Sequence, residues 1–356
     1  MQLQDLAYRL LMSPFSVLYG VGISLRDLFY QAGLLRSAKF DIPTISIGNL
    51  SVGGAGKTPH VEYLVQYLDD YLEVGTLSRG YKRKTKGFII VEPTANALQA
   101  GDEPVQYKQK FPNIMVAVAE ERTFAIPQML MTNPELQVIL LDDAFQHRAI
   151  TPGLNILLTD HQNLFTRDWL MPSGRLREWR SAYHRADIII VSKCPKHLTE
   201  KEKQDLVLEI RPMTRQKMFF SCYNYLPPYS LFNEQLKVNL ESDMEVVLIS
   251  AIANTEYLLD YLRETVERIS ILEYPDHHLF GEYDLTRLKN TFASIEAPKK
   301  IILTTEKDAT RLTLHRKFLF ENRLPVFVLP VEVGFLFDEE EAFLSEIRNF
   351  LMNFRI

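Results

Sequence analysis

Residues 42–59 read IPTISIGNLSVGGAGKTP, and this stretch decides the fold. A β-branched apolar run over 42–47 ends in a glycine-rich turn and then in Gly56-Lys57-Thr58, the arrangement of a phosphate-binding P-loop. Glycines let successive backbone N–H groups turn inward on phosphate oxygens, and the helix N-terminus that follows adds its dipole. The expected cradle is Ser51, Val52, Gly53, Gly54, Ala55, Gly56, Lys57 and Thr58. Lys57 is placed to reach the β- and γ-phosphates, and the Thr58 hydroxyl to hold Mg²⁺. The usual G-x-x-x-x-G-K-[ST] pattern has glycine where this chain has Ser51.

Length and composition set the frame. The chain has 356 residues, enough for two domains, and 46% hydrophobic content supports sizeable cores. A net charge of −5 argues against a nucleic-acid partner held by bulk charge. Two cysteines, Cys194 and Cys222, make no disulfide framework and fit a reducing compartment. Near the N-terminus, LLMSPFSVLYGVGISL runs for sixteen uncharged residues between Arg9 and Arg26. That is short of the roughly 20 residues of a spanning helix, and Pro14 after Ser13 suits a helical first turn. Phe15, Leu18, Tyr19, Ile23, Leu25, Leu28 and Phe29 with nearby bases suggest a helix lying in a membrane interface. A helix packed on the protein's own core is the rival reading.

Further along, near-continuous apolar runs at 75–77, 88–91, 114–118, 138–141, 155–159 and 187–192 alternate with helical patterns. Such runs suit a parallel sheet covered on both faces. A β-rich connector follows around the Pro227-Pro228 turn, and then a second α/β unit. Its strands are expected at 246–251, 300–305 and 325–329, with Leu258, Leu262, Val266 and Ile269 on one helix face and a closing helix after Asp338. The organisation expected is therefore an N-terminal helix over 1–40, a P-loop domain over 41–216, a connector over 217–235 and a smaller domain over 236–356. The fold class is α/β: a P-loop NTPase-type, doubly wound, mostly parallel sheet with a second, smaller α/β domain and an N-terminal membrane-interface helix.

Four apolar residues, 138–141, end in Asp142-Asp143, the Walker B form, which places a carboxylate where it meets Mg²⁺ beside the P-loop. Gln146, His147 and Arg148 follow at the strand end, where open α/β sheets bind ligands. Gly101-Asp102-Glu103-Pro104 reads as a turn whose aspartate suits a proton acceptor. Asp276-His277-His278 offers a histidine to orient such an aspartate. Arg79 opens the basic run SRGYKRKTKG, either a solvated loop or a contact for an anionic substrate. Pro172 to Glu178, PSGRLRE, combines arginines with one acid in a way that suits phosphates and a metal shell.

Taken together, GNLSVGGAGKTP (48–59), LSRGY (77–81), GDEP (101–104), LDDAFQHR (141–148), PSGRLRE (172–178), YPDHH (274–278) and TTEKDATR (304–311) resemble the tetraacyldisaccharide 4′-kinase family in order and in kind. The resemblance spans most of the chain. It implies an ATP- and Mg²⁺-dependent lipid kinase that phosphorylates the 4′-hydroxyl of an acylated glucosamine disaccharide 1-phosphate, giving lipid IVA in lipid A synthesis. It implies Lys57 and Thr58 at the phosphates and metal, Asp142 and Glu178 in the metal shell, and Asp102 as proton acceptor assisted by His277. Arg79, Asp143, Gln146, His147 and Arg148 are then expected near substrate. A location at the cytoplasmic face of the inner membrane, peripheral or monotopic, follows from the same resemblance, with no nucleic acid and no obligatory protein partner. Family members usually carry glycine where this chain has Ala144 and a glycine-rich turn where it has 250–253. The alternative reading is a membrane-peripheral P-loop ATPase acting as a switch. The absence of an N-K-x-D motif disfavours GTP, and a non-catalytic scaffold leaves Lys57, Thr58 and Asp142 unexplained.

Overall fold

The apolar runs become strands of two separate sheets in the computed structural model, which describes residues 3–355. Met1, Gln2 and Ile356, the ends of the expected N-terminal and C-terminal segments, lie outside the described residues. The chain divides into two units that interleave in sequence. One comprises 1–79, 119–223 and 333–356, and the other comprises 80–118 and 224–332. The linear boundaries at 41–216 and 236–356 differ from this in two places. Residues 80–118 group with the later half of the chain, and 333–356 return to the first unit.

In the first unit, neighbouring strands run in the order Lys217–Tyr225, Ile188–Ser192, Leu154–Asp160, Thr44–Asn49, Val138–Asp142 and Val74–Ser78, all parallel. The P-loop strand is central, with Ile47 in register with Asp142. Every residue of Thr44–Asn49 and Val138–Asp142 is buried, which explains why those runs lack alternation. Lys217–Tyr225, read as connector, is an added strand of this sheet. The closing helix Glu340–Asn353 buries Phe343 and Ile347 in this unit, and Phe343 lies edge-on to Phe219 at 5.4 Å.

The N-terminal helix Leu3–Gln31 starts earlier than the proline suggests, so Pro14 lies inside it. Proline lacks the N–H that would reach the Leu10 carbonyl. Ser13 Oγ donates to that carbonyl at 2.8 Å and replaces the missing partner. Among the described residues of the helix, Ser16, Gly20 and Ile23 form a buried seam. The seam rests on residues 170–179. Ser16 Oγ contacts Leu170 O and Ser173 Oγ, and Trp179 Nε1 donates to Gly20 O at 3.2 Å. A Cβ on Gly20 would fall 2.2 Å from the Trp179 ring, so only glycine fits there. Leu10, Leu11, Phe15, Val17, Leu18, Val21, Leu25, Leu28 and Phe29 stay exposed. No helix among the described residues is long and apolar enough to cross a membrane.

The second unit holds the order Asn233–Lys237, Tyr229–Ser230, Val326–Leu329, Lys300–Thr305, Glu245–Ser250 and Arg268–Glu273. The last four are parallel, and the first two form an antiparallel edge. Ile269, expected on a helix face, lies instead in Arg268–Glu273, because the helix Glu256–Thr265 stops before it. Two apolar clusters, one containing Val247, Ile249 and Ile302 and the other Val246, Leu248 and Leu303, cover opposite faces of the sheet. That alternation is the two-residue period of a strand buried on both sides. Ile89–Ile90 and Met115–Val118 pair antiparallel with each other, where the apolar runs suggest parallel strands.

Candidate active site

The P-loop backbone adopts conformations that explain its glycines. Gly53 has φ +120° and Gly56 φ +82°, and the helix Lys57–Leu68 begins immediately after Gly56. Lys57 Nζ donates to Asn49 Oδ1 at 3.1 Å and stands 3.6 Å from Asp143 Oδ1. His60, one turn into the helix, binds the Gly56 carbonyl through Nδ1 at 2.7 Å and Ser221 Oγ through Nε2 at 2.9 Å. Burial pushes His60 down to about 4, so it is neutral near pH 7.

Asp142 ends its strand beside the P-loop, and Asp143 follows in the left-handed region at φ +46°. Arg177 grips Asp143 through both terminal nitrogens and also donates to Asn49 Oδ1. Burial alone would raise the Asp143 carboxyl, but Lys57 and Arg177 hold it well below the usual carboxylate range. Arg122, fully buried, donates to the Asp142 carbonyl at 2.9 Å and thereby braces the strand end. Gln146 Nε2 donates to Asn49 O at 2.8 Å. Burial, with Arg122 and Arg79 adding like charge, brings His147 down to about 4. Ser51 forms an isolated bridge with Leu176, and Val52 N donates to Arg175 O, so the segment 172–178 lines the loop's first residues. Arg177 and Arg122 were not singled out from the sequence; the arginine density of PSGRLRE was the available signal for the first.

Two sequence expectations meet different partners. Glu178 is fully buried, and its two oxygens are taken by Arg26 and Arg185. Its carboxylate ties the N-terminal helix to the 172–185 segment. Two guanidiniums on one carboxylate fix its position and orientation. Arg148 turns toward that same helix, 3.0 Å from Asp27 and over the Tyr30 ring. Hard oxygen donors suited to Mg²⁺ remain in the Thr58 hydroxyl and the Asp142 carboxylate. Among the described residues no group of three or more His, Cys, Asp or Glu side chains could hold a metal. Mg²⁺ sites that borrow phosphate and water oxygens need no such cage.

The second unit brings Asp102 and His277 together, with Nδ1 2.9 Å from Oδ2. Both residues belong to one unit, so their meeting needs no closure between domains. Asp102 opens the helix Asp102–Lys110 and does not sit in a loop turn; as a first-turn acid it faces the helix's positive end. His277 adopts φ +58°, and its amide donates to Ala251 O at 3.1 Å. Glu103 is held at about 2: burial would raise it, and Lys307 with His277 overcomes that. The helix Glu306–Leu312 supplies Lys307, 3.0 Å from Glu103, and Arg311, 3.5 Å from Asp102. Lys307 and Arg311 come from TTEKDATR, residues 304–311, whose residue types alone assign no role. Their four-residue spacing, which puts them on one helical face, was the available signal.

The chain matches the family described as tetraacyldisaccharide-1-P 4′-kinase over residues 8–351. It is 41% identical over 344 residues to the tetraacyldisaccharide 4′-kinase of Phocaeicola vulgatus, covering 95% of this chain and 94% of that protein. It is 42% identical over 340 residues to the same-named protein of Flavobacterium psychrophilum, covering 95% of each. The Aquifex aeolicus LpxK crystal structure, described as an "apo" form in complex with ATP, superposes with a TM-score of 0.73 at 30% identity. That match covers 96% of this chain and 99% of the other. The chain therefore belongs to the tetraacyldisaccharide-1-P 4′-kinase family, and it is a phosphotransferase with an alcohol acceptor.

Proposed function

We propose that this kinase moves the γ-phosphoryl group of ATP to the 4′-hydroxyl of an acylated glucosamine disaccharide 1-phosphate, with Asp102 taking the hydroxyl proton and His277 orienting it. The observation that carries the reading is the 2.9 Å contact between His277 Nδ1 and Asp102 Oδ2. A nucleotide switch has no use for an oriented base directed at an alcohol, whereas phosphoryl transfer to a hydroxyl does.

Phosphoryl transfer asks the protein mainly for positioning and charge neutralisation. Lys57 supplies a cation at the loop, and Asp143, Arg177 and Asn49 hold the surrounding groups in fixed relation. Backbone amides of 51–57 would cradle the phosphates. Mg²⁺, held by Thr58 and Asp142, would neutralise charge on the phosphate oxygens. Asp102 receives the proton late, as the forming bond to phosphorus acidifies the hydroxyl. Arg79 and His147 remain candidates for substrate contacts.

The exposed apolar side chains of Leu3–Gln31 support an interfacial helix that brings the enzyme to a lipid surface at the cytoplasmic face of the inner membrane. The deciding assay supplies labelled ATP, Mg²⁺ and acylated disaccharide 1-phosphate. Labelled lipid, with ATP consumption that depends on the acceptor, supports the reading. Vigorous hydrolysis with no labelled lipid would replace it with the switch.

A further inference from the structure

His277 is held from both ring nitrogens. Nδ1 meets Asp102 Oδ2 at 2.9 Å, and Nε2 meets Lys307 Nζ at 3.1 Å. A lysine ammonium carries three N–H donors and no acceptor. Its contact with Nε2 can form only if that nitrogen presents its lone pair. The imidazole proton must then sit on Nδ1, where it donates to Asp102.

Asp102 favours the proton on Nδ1, and other neighbours pull it toward Nε2. Glu103 Oε1 stands 4.0 Å and Asp276 Oδ2 3.6 Å from the same Nε2. Two carboxylates near a ring nitrogen favour a proton on it. Lys307 opposes them by placing its own charge between: Nζ is 3.0 Å from Glu103 Oε1 and 3.5 Å from Asp276 Oδ1. One ammonium thus satisfies both acids and still donates to the ring. The remaining neighbours do not compete for Nε2. Tyr81 lies against the ring at 4.8 Å between centroids, Lys82 Nζ binds the Asp276 and His277 carbonyls, and Arg311 approaches Asp102.

We propose that Lys307 is a positioning residue for the dyad, fixing His277 as the Nδ1–H tautomer so that its proton is always presented to Asp102. The inference rests on reading Asp102 and His277 as the proton-accepting pair. The same helix completes the arrangement four residues on. Arg311 is fully buried, donates to Ala251 O at 3.2 Å and pairs with Asp308. Asp308 in turn accepts from Ser250 Oγ at 3.1 Å and Thr305 Oγ1 at 2.7 Å. The helix is therefore bolted to the strand end whose Ala251 carbonyl also receives the His277 amide. His277 and Arg311 both address Oδ2 of Asp102.

The test is nitrogen NMR of the full-length protein in detergent, labelled with ¹⁵N-histidine, the His277 signals being those missing from His277→Gln. The wild type should show a protonated Nδ1 and a bare Nε2. Lys307→Met should move a proton to Nε2, whereas Lys307→Arg, which still donates, should keep the wild-type pattern. In steady state, Lys307→Met should lower kcat about tenfold or more with KM for ATP within about twofold, and Lys307→Arg should restore most of the loss. If Lys307→Met fails to fold by circular dichroism, Lys307→Gln carries the same comparison. An unchanged Nδ1–H tautomer without the lysine would overturn the proposal. Near wild-type kcat in His277→Gln would instead overturn the dyad itself, and the tautomer readout does not depend on that result.

Discussion

Arg177 grips Asp143 through two near-parallel contacts, Nη1 to Oδ2 at 3.0 Å and Nη2 to Oδ1 at 2.8 Å. The same guanidinium reaches Asn49 Oδ1, the atom that also receives Lys57. One arginine therefore orders the groups around the P-loop lysine. Lysine in its place cannot form the fork. Arg177→Lys should raise KM for ATP about tenfold, the worth of one charge-assisted hydrogen bond, with little change in Tm. Unchanged ATP affinity would show that the fork has no part in shaping the phosphate site.

On the proposed assignment, Lys57→Ala removes a cation from the phosphate site and Asp142→Ala removes a hard oxygen ligand from Mg²⁺. Each should reduce kcat by about 10²–10³ at saturating ATP and Mg²⁺. Turnover near the wild-type value in either variant would contradict the assignment of these residues to phosphoryl transfer.

Asp102→Ala and His277→Ala should each lower kcat far more than they weaken ATP binding. Because the histidine acts through the aspartate, the double variant should be little worse than the poorer single one. Steady-state kinetics on all three variants checks this, and multiplicative losses would mean that the two side chains act independently.

The buried histidine under the P-loop gives a pH signature. His60 titrates near 6.5 when unfolded but is lowered to about 4 by burial in the folded chain. Between those values the unfolded chain binds a proton that the folded chain refuses. Stability is thus complete above about pH 6.5 and declines as pH falls toward about 4. His147, lowered to about 4 by burial and then by Arg122 and Arg79, acts in the same direction. Melting curves should show a drop in Tm between about pH 7 and about pH 5 that is smaller in His60→Asn. An equal drop would remove His60 from the account.

Two substitutions separate the buried seam of the N-terminal helix from its exposed face. Arg26→Ala leaves the fully buried Glu178 with a single arginine, and should cost about 1.5–3 kcal/mol of stability in denaturant unfolding. Leu11→Ser with Leu18→Ser, at positions 73% and 69% exposed, should leave Tm unchanged but weaken sedimentation with anionic vesicles. Vesicle binding that survives the double substitution would move the lipid contact elsewhere.

Much of this protein was written locally. The glycines, Lys57 and Thr58 announce the P-loop because a phosphate cradle demands specific backbone angles and a charge at fixed spacing, all within eight residues. Asp142 was legible for the same reason, since a buried strand ending in acid beside such a loop leaves few alternatives. The parallel sheets, too, followed from uninterrupted apolar runs. Periodicity misplaced Ile269, because a helix face and a short strand are alike over four residues.

Tertiary structure alone decided what depends on distant partners. Glu178 reads as a metal-shell acid beside two arginines in sequence, and in the fold its oxygens meet Arg26 and Arg185, of which Arg26 lies 152 positions away along the chain. Asp102 and His277 were named from their motifs, but their 175-residue separation concealed that they share one unit and one hydrogen bond. Lys307 and Arg311 acquire meaning only when their helix is set against that pair. Short-range chemistry is encoded in residue type and spacing. Which charge neutralises which is settled by the packing that brings remote segments within about 3–4 Å, where a carboxylate's role is fixed by whichever cation arrives.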